Sequence, residues 1–357
     1  MTANVFTKEI FGKNMRFFVY QPKIAEILMS ELSIYPDTEE PYDLKIHIFI
    51  SSFRLPLVNK NTTVIHLNSK LSNIKFYANG VDIVEIAFEI KEPLNKIHSF
   101  IQRMLSLGYN DRLERVGLIL HEQVLIPYAI FFSGFCPIHG SAMSINNKTV
   151  IFGGKGGVGK TTLELEFCLD HQALFLSDDM VILDSKNYIY PNLNFPKIYA
   201  YNTIDRDSLG KFIKSSASLG DKIHWNIRSF YNLSKVRRRV NPKELYGDVE
   251  TQGKKIDHYY MLNRGESDEI QLKKMSLKDV LLKTTTILSE EFDNLFYALV
   301  DNGLVNRKII TKKWETTLTK ILKDVDCYEI KIPKMMNHQD FRKLVPYYLE
   351  EHISTHL

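Results

Sequence analysis

Short apolar runs of strand length dominate the first third of the chain. Residues 15–20, 44–53, 63–67 and 81–90 are such runs, joined by turn-rich stretches at 35–42 and 59–62, and they predict strands. The period then lengthens. Leu94, Ile97, Phe100, Ile101 and Met104 recur at i, i+3, i+4 spacing, which predicts a helix over 94–107. A second helix is expected over 112–132. Beyond it, 137–145 and 149–152 read as two strands joined at Asn146-Asn147, because asparagine tolerates the positive φ that a tight hairpin needs. A glycine-rich loop follows, then a helix over 160–170, a strand over 173–176 ending at Asp178-Asp179, and a further strand over 180–183.

The later pattern is weaker. Residues 208–234 read as helix or loop, 258–262 as a buried strand and 277–288 as a helix entered from Ser276. A strand over 328–332 and a helix over 339–350 close the chain. The alternation of strands and helices predicts an α/β protein. A length of 357 residues suggests more than one unit. We divide it into an N-terminal α/β accessory domain (1–126), a P-loop core (127–335) and a C-terminal helix (336–357).

Composition changes this picture little. Hydrophobic residues make up 44% and charged residues 25%, as in an ordinary soluble chain. The net charge of +4 is too small to argue by itself for a nucleic-acid or membrane partner. Cys136, Cys168 and Cys327 are far apart and form no C-x-x-C pair, so neither a disulfide framework nor a structural zinc site is expected, and a reducing cytoplasm suits them. Residues 1–16 lack the apolar run of a leader peptide. The most apolar stretch, 124–138, is too short and too interrupted by Pro127, Gly134 and Pro137 to span a bilayer.

The chemistry concentrates after Ile151. Gly154, Lys155, Gly156, Gly157, Val158, Gly159, Lys160 and Thr161 spell G-x-x-x-x-G-K-[ST], and Thr162 follows. Glycines allow successive backbone N–H groups to point at phosphate oxygens, and the positive end of the next helix faces the same anion. Lys160 supplies a charge for the β- and γ-phosphates, and the Thr161 hydroxyl is a Mg²⁺ ligand. The strand before the loop and the helix after it supply the context this motif requires. Asp178 and Asp179 end a strand in the same unit, where ligands of open α/β sheets bind. A P-loop needs such a carboxylate for its metal, and the second acid is free to accept a proton from an attacking hydroxyl. ATP and Mg²⁺ are therefore the expected cofactors.

This ordered set resembles the HPr kinase/phosphorylase family, whose nucleotide-binding core is of the phosphoenolpyruvate carboxykinase type. The resemblance runs from His139-Gly140 through the hairpin, the P-loop, Ser177-Asp178-Asp179 and the segment between Pro191 and Pro196, to Arg264 after a buried strand. It implies catalytic roles for Asp178, His139, Lys160 and Arg264, with Asp178 as general base and Thr161 and Asp179 on the metal side. It also implies transfer of the γ-phosphoryl of ATP to a hydroxyl, on a peptide, a protein or a small molecule, and self-association into an oligomer. No copy of the second glycine-containing signature with which bacterial HPr kinases hold their protein substrate is present. The loop also matches the deviant Walker A ATPases that partition DNA or position division proteins, so a nucleotide-dependent switch is the alternative. In those proteins, however, the loop lies near the start of the domain and the next strand ends differently.

Other features have blander readings. His121-Glu122 lacks a second histidine at the metalloprotease spacing and reads as the polar face of a helix. Ser141 has no nucleophile elbow around it. Basic residues with interleaved aromatics between Lys211 and Lys255 can mark single-stranded nucleic acid, but more often form a solvated face, and nucleic acid is not an expected partner. One of Arg237, Arg238 and Arg239 is a candidate for delivery to the phosphoryl group from a mobile loop.

Overall fold

Alternating burial turns the N-terminal strands into a sheet. A computed structural model describes residues 2–50, 63–69, 72–79, 82–91, 115–215, 217–293 and 306–355. Strands β1 (Asn4–Ile10), β2 (Lys13–Val19), β3 (Leu44–Ile50), β4 (Thr63–Asn68), β5 (Ser72–Asn79) and β6 (Asp82–Ile90) form a six-stranded sheet in the order β1-β2-β3-β6-β5-β4. Met15, Phe17 and Val19 on β2, and Ile74 and Phe76 on β5, are fully buried at every second position. Strands β2 and β3 run parallel and therefore need a crossover, which is helix α1 (Pro22–Glu31) with a proline in its first turn. The helix expected over 94–107 lies outside the described residues, as do the turn at 59–62 and the last part of the run 44–53.

The helix expected over 112–132 is described from α2 (Arg115–Ile119), which widens into two π-helical stretches, Leu120–Leu125 and Tyr128–Phe132. Such widened turns shift side chains out of the regular helical register and recur at functional sites. His121 here is fully buried, and Glu122 faces a cleft. The expected polar face of a helix is thus split, with His121 in the interior and Glu122 at the cleft.

Among the described residues the second sheet has nine strands. Its centre is β7 (Cys136–Ile145), β8 (Lys148–Gly153), β15 (His258–Gly265) and β17 (Asp326–Pro333). Strands β8, β15 and β17 are parallel to one another, and β7 is antiparallel to β8. Asn146 and Asn147, at φ 48° and 65°, make the tight β7–β8 turn read from the sequence. Adjacent residues of β15 show the two faces: Tyr260 contacts His352 of α9 (His338–Thr355), whereas the Tyr259 hydroxyl meets Thr284 of α7 (Leu277–Glu291) at 3.0 Å. Helix α3 (Lys160–Asp170) packs on the α9 side, where Phe167 stacks on Phe152. Helix α8 (Arg307–Leu322) packs on α7, with Trp314 against Phe292.

Between these strands the chain adds β9 (Leu174–Ser177), β10 (Met180–Leu183), β11 (Tyr188–Tyr190), β12 (Lys197–Tyr199), helices α4 (Asp207–Ser215) and α5 (Leu219–Tyr231), β13 (Arg237–Arg239), helix α6 (Pro242–Tyr246) and β14 (Lys254–Lys255); β16 (Gln271–Lys274) forms the far edge. The arginine triplet is therefore a strand, paired with β12, and not a mobile loop. Arg238 is ion-paired with buried Asp221 and lies over Trp225, while Arg239 is ion-paired with Glu31 of α1. Their charges are needed to neutralise buried carboxylates, which removes them as candidates for a roving catalytic arginine.

A single apolar cluster runs through both sheets, from Phe17 and Ile46 to Phe152 and Ile330. All three cysteines are free and buried. Among the described residues no helix is long and apolar enough to cross a membrane.

Candidate functional site

The phosphate loop leaves β8 at Gly153 and enters α3 at Lys160. Gly154, Gly157 and Gly159 have φ of 148°, 80° and 115°, a region that side-chain-bearing residues rarely adopt. Gly159 has a second reason to be glycine: a Cβ there would lie 2.4 Å from the ring of buried Phe341 on α9. Above Gly156 and Gly157 the space is open, with nothing within 4 Å of an added Cβ. No side chain caps the first turn of α3, so its N–H groups are left for an external acceptor. These features fit an anion.

Lys160 is buried, and its ammonium group folds back onto the carbonyl oxygens of Gly154 and Lys155 at 2.9 and 3.0 Å. Burial lowers its pKa, against the pull of Asp179 and Asp178. Lys155 sits on the outer lip and pairs with Glu290 of the same chain at 2.9 Å. Val158 and Thr162 are buried, while Thr161 is half-buried with its hydroxyl 3.4 Å from the Asp178 carboxylate.

Strand β7 brings the remaining groups together. Its first half pairs with β10, setting His139 opposite Met180, and its second half pairs with β8 and β9. The residues between β9 and β10 are Asp178 and Asp179, held against β7 by the hydrogen bond from the Gly140 N–H to the Asp179 carbonyl. Asp179 adopts φ 67°, a left-handed conformation that costs a non-glycine residue about 1–2 kcal/mol and is concentrated at functional sites.

The two carboxyls differ in environment. Burial and the adjacent Asp179 charge raise Asp178. Burial also acts to raise Asp179, but Lys197, His139 and Lys160 outweigh it and bring Asp179 down to about 2. Lys197 bridges Asp179 at 3.0 Å and Glu122 at 2.7 Å, and although burial opposes its charge, these two carboxylates hold its pKa above the ordinary lysine value. Behind Asp178, fully buried Glu164 accepts a hydrogen bond from Tyr246 at 2.6 Å and is pushed well up by burial and by Asp178. His139 is buried, with neither ring nitrogen hydrogen-bonded, and burial together with Lys160 lowers it to about 4. Its nearest acid is Glu291, at 3.9 Å. It is neutral at physiological pH.

The structure thus brings together the loop, Lys160, Thr161, Asp178, Asp179 and His139. Arg264 lies on the other flank of the loop, away from the carboxylates. It lines a lateral pocket of about 460 Å³ with Lys155, Val158, Leu262 and Ile287, and its guanidinium is held by the Met336 carbonyl at 3.0 Å and over Phe341. Lys197, Glu164 and Glu291 were not read from the sequence, and Glu122 was read only as part of a helix's polar face, since each depends on contacts with distant segments. For Lys197, its position directly after the segment bounded by Pro191 and Pro196 was the available signal.

Among the described residues no group of three or more His, Cys, Asp or Glu side chains forms a metal cage. A Mg²⁺ ion would instead be held jointly, by Thr161 and the aspartate pair on one side and phosphate oxygens on the other. This is how that ion is usually bound in phosphoryl-transfer sites, and the hydroxyl and carboxylate oxygens present suit it.

No protein-family model matches the chain. Over 75 residues it is 40% identical to an HPr kinase/phosphorylase of Mycoplasma mycoides subsp. mycoides SC, a match covering 20% of this chain and 23% of that protein. The chain is therefore similar to the HPr kinase/phosphorylase family over a segment spanning under a quarter of the relative's length. The structure of the HPr(Ser) kinase/phosphatase from Coxiella burnetii aligns with 62% of this chain and 95% of that one, at 10% identity and a TM-score of 0.26. So low a score adds nothing to the topology above.

Proposed function

We propose that the protein is an ATP-dependent phosphotransferase that moves the γ-phosphoryl group to a hydroxyl. The observation that carries this is the meeting of the Thr161 hydroxyl, at the head of α3, with Asp178, at 3.4 Å and beside the Asp179 carboxylate. A phosphate loop alone would suit any nucleotide-binding protein. A loop facing two unlike carboxyls, Asp178 buried and Asp179 half-exposed, suits one that must also take a proton.

The loop amides and Lys160 hold the β- and γ-phosphates, and the lateral pocket beside Val158 and Leu262 takes the nucleoside on its apolar walls. Bound Mg²⁺ supplies charge neutralisation on the phosphate oxygens. Asp179, kept ionised by Lys197, is the better electrostatic partner for that ion. Asp178, held above the usual carboxylate range, is the better proton acceptor, because a general base works best with a pKa nearer the working pH. The acceptor oxygen attacks phosphorus, the bond to ADP breaks, and the acceptor proton passes to Asp178. Neutral His139, beside Asp179 and Lys160, presents an N–H to the transferring group. Arg264 serves the nucleoside side.

Incubation with γ-labelled ATP and hydroxyl acceptors tests this. Lys160→Ala should abolish nucleotide binding. Asp178→Asn should retain binding but lose on the order of 10²-fold or more in transfer, the contribution typical of a general base. Label transfer that survives both substitutions defeats the proposal.

A further inference from the structure

On the far side of the aspartate pair from the loop lies a cleft of about 510 Å³, the size of pockets that hold a small molecule or the tip of a peptide. Both sheets wall it: Asn68 and Ser69 come from the end of β4, Glu122 from the π-helical turn, Asn192 from the segment before β12, and Glu291 from the end of α7. It shares Asp178 and Asp179 with the phosphate site, so an oxygen entering here approaches the base directly.

Its chemistry is one-sided. The carboxylates lining it are Glu122, Asp178, Asp179 and Glu291, and Lys197 is the only basic side chain among its described lining residues. The Lys197 ammonium is already shared between Glu122 and Asp179. Even a divalent cation at the phosphate site leaves this wall negative. Asn192 adds an independent sign. It is fully buried; its amide N–H donates to the Met180 carbonyl at 2.9 Å, which fixes the orientation of the amide, and its carbonyl oxygen has no donor. A buried acceptor left unpaired is rare and awaits an N–H or O–H from outside.

We infer that this cleft is the acceptor site and that it selects a hydroxyl carried close to a cationic nitrogen, an ammonium or guanidinium, over acceptors bearing carboxylate or phosphate. The inference rests on the phosphotransferase proposal and adds the acceptor's charge to it. The hydroxyl oxygen forms the new bond to phosphorus, ADP leaves with the bridging oxygen, and Asp178 takes the proton. The acceptor's cationic group lies among Glu122, Glu291 and the Asn192 carbonyl. A serine flanked by lysine and a small amino alcohol offer the same chemistry.

The test uses the full chain with γ-labelled ATP and two matched series. One is serine hexapeptides flanked by lysine, alanine or glutamate; the other is short amino alcohols against hydroxy acids of equal length. Cationic members should be labelled at least about 10-fold faster at low concentration than anionic ones, in whichever series is accepted, and that series identifies the source. Glu291→Gln should raise KM for the cationic acceptor several-fold and leave KM for ATP unchanged. Equal labelling across charge, or preference for the anionic members, overturns the inference and leaves phosphotransfer standing. Nucleotide binding with no labelled acceptor in either series overturns both.

Discussion

Replacing Arg239 by methionine should unfold the protein more easily by several kcal/mol, and the deficit should shrink in acid. Arg239 on β13 and Glu31 on α1 are nearly buried, with side chains 8% and 6% exposed, and they pin the first sheet's helix to the second unit. At the 3.3 Å separation of one of their two contacts, Coulomb attraction at an effective dielectric of about 20 is about 5 kcal/mol before desolvation. Burial raises the Glu31 pKa even though Arg239 lowers it, so desolvation already outweighs much of that attraction. Removing the cation leaves a buried carboxylate, a loss of about 3–5 kcal/mol. Protonating Glu31 caps the loss. From a reference pKa of about 4.3, this costs about 4 kcal/mol at pH 7.5 and about 1.6 at pH 5.5. The sign follows. In the variant the folded-state pKa of Glu31 rises further, so the stability associated with its proton is present in acid and is lost as pH rises. Urea unfolding at both pH values measures this, and the Glu31→Gln/Arg239→Met double variant should recover most of the deficit at pH 7.5. A deficit under about 1 kcal/mol at pH 7.5, or one that grows on acidification, refutes the reasoning.

Three further outcomes are expected. Gly159→Ala should lose nucleotide binding and about 2 kcal/mol or more of stability, because the added Cβ meets the Phe341 ring, whereas Gly156→Ala, with open space around it, should stay within about 0.5 kcal/mol by thermal melting. His121, lowered to about 3 mainly by burial, is neutral in the fold; the unfolded chain gains a proton as pH falls below about 6.5, so stability falls by about 1.4 kcal/mol between pH 7.5 and 5.5, and His121→Gln should flatten that slope. Lys197→Met should lift the Asp179 carboxyl well above its present value of about 2, seen by carbon NMR of the labelled carboxylate; an unmoved titration would show that Lys197 does not hold it down.

Local rules made the phosphate loop legible, because its residues act through their own backbone and the helix they start. The Asn146-Asn147 turn was legible for the same reason, as was the strand ending at the two aspartates. What the sequence hid was long-range. Asp179 takes a left-handed φ because β7 and Lys197 hold it. Glu122 reaches the cleft because α2 widens into a π-helical stretch, which no spacing rule announces. Arg237, Arg238 and Arg239 read as a mobile loop that could deliver a catalytic arginine until their partners, Tyr199, Asp221 and Glu31, were known. The first sheet showed no chemistry of its own, since its contribution, the Asn68–Ser69 corner, is a wall and not a reactive group.

One strand, Cys136–Ile145, carries His139 while bonding to the strand that launches the loop and to the two strands flanking the aspartates. The glycine-rich loop and the aspartate pair therefore have no hinge between them and ride on a common beam. The β4 corner and the end of α7 wall the cleft from beyond that beam, so the two sides of the cleft are set by separate parts of the fold.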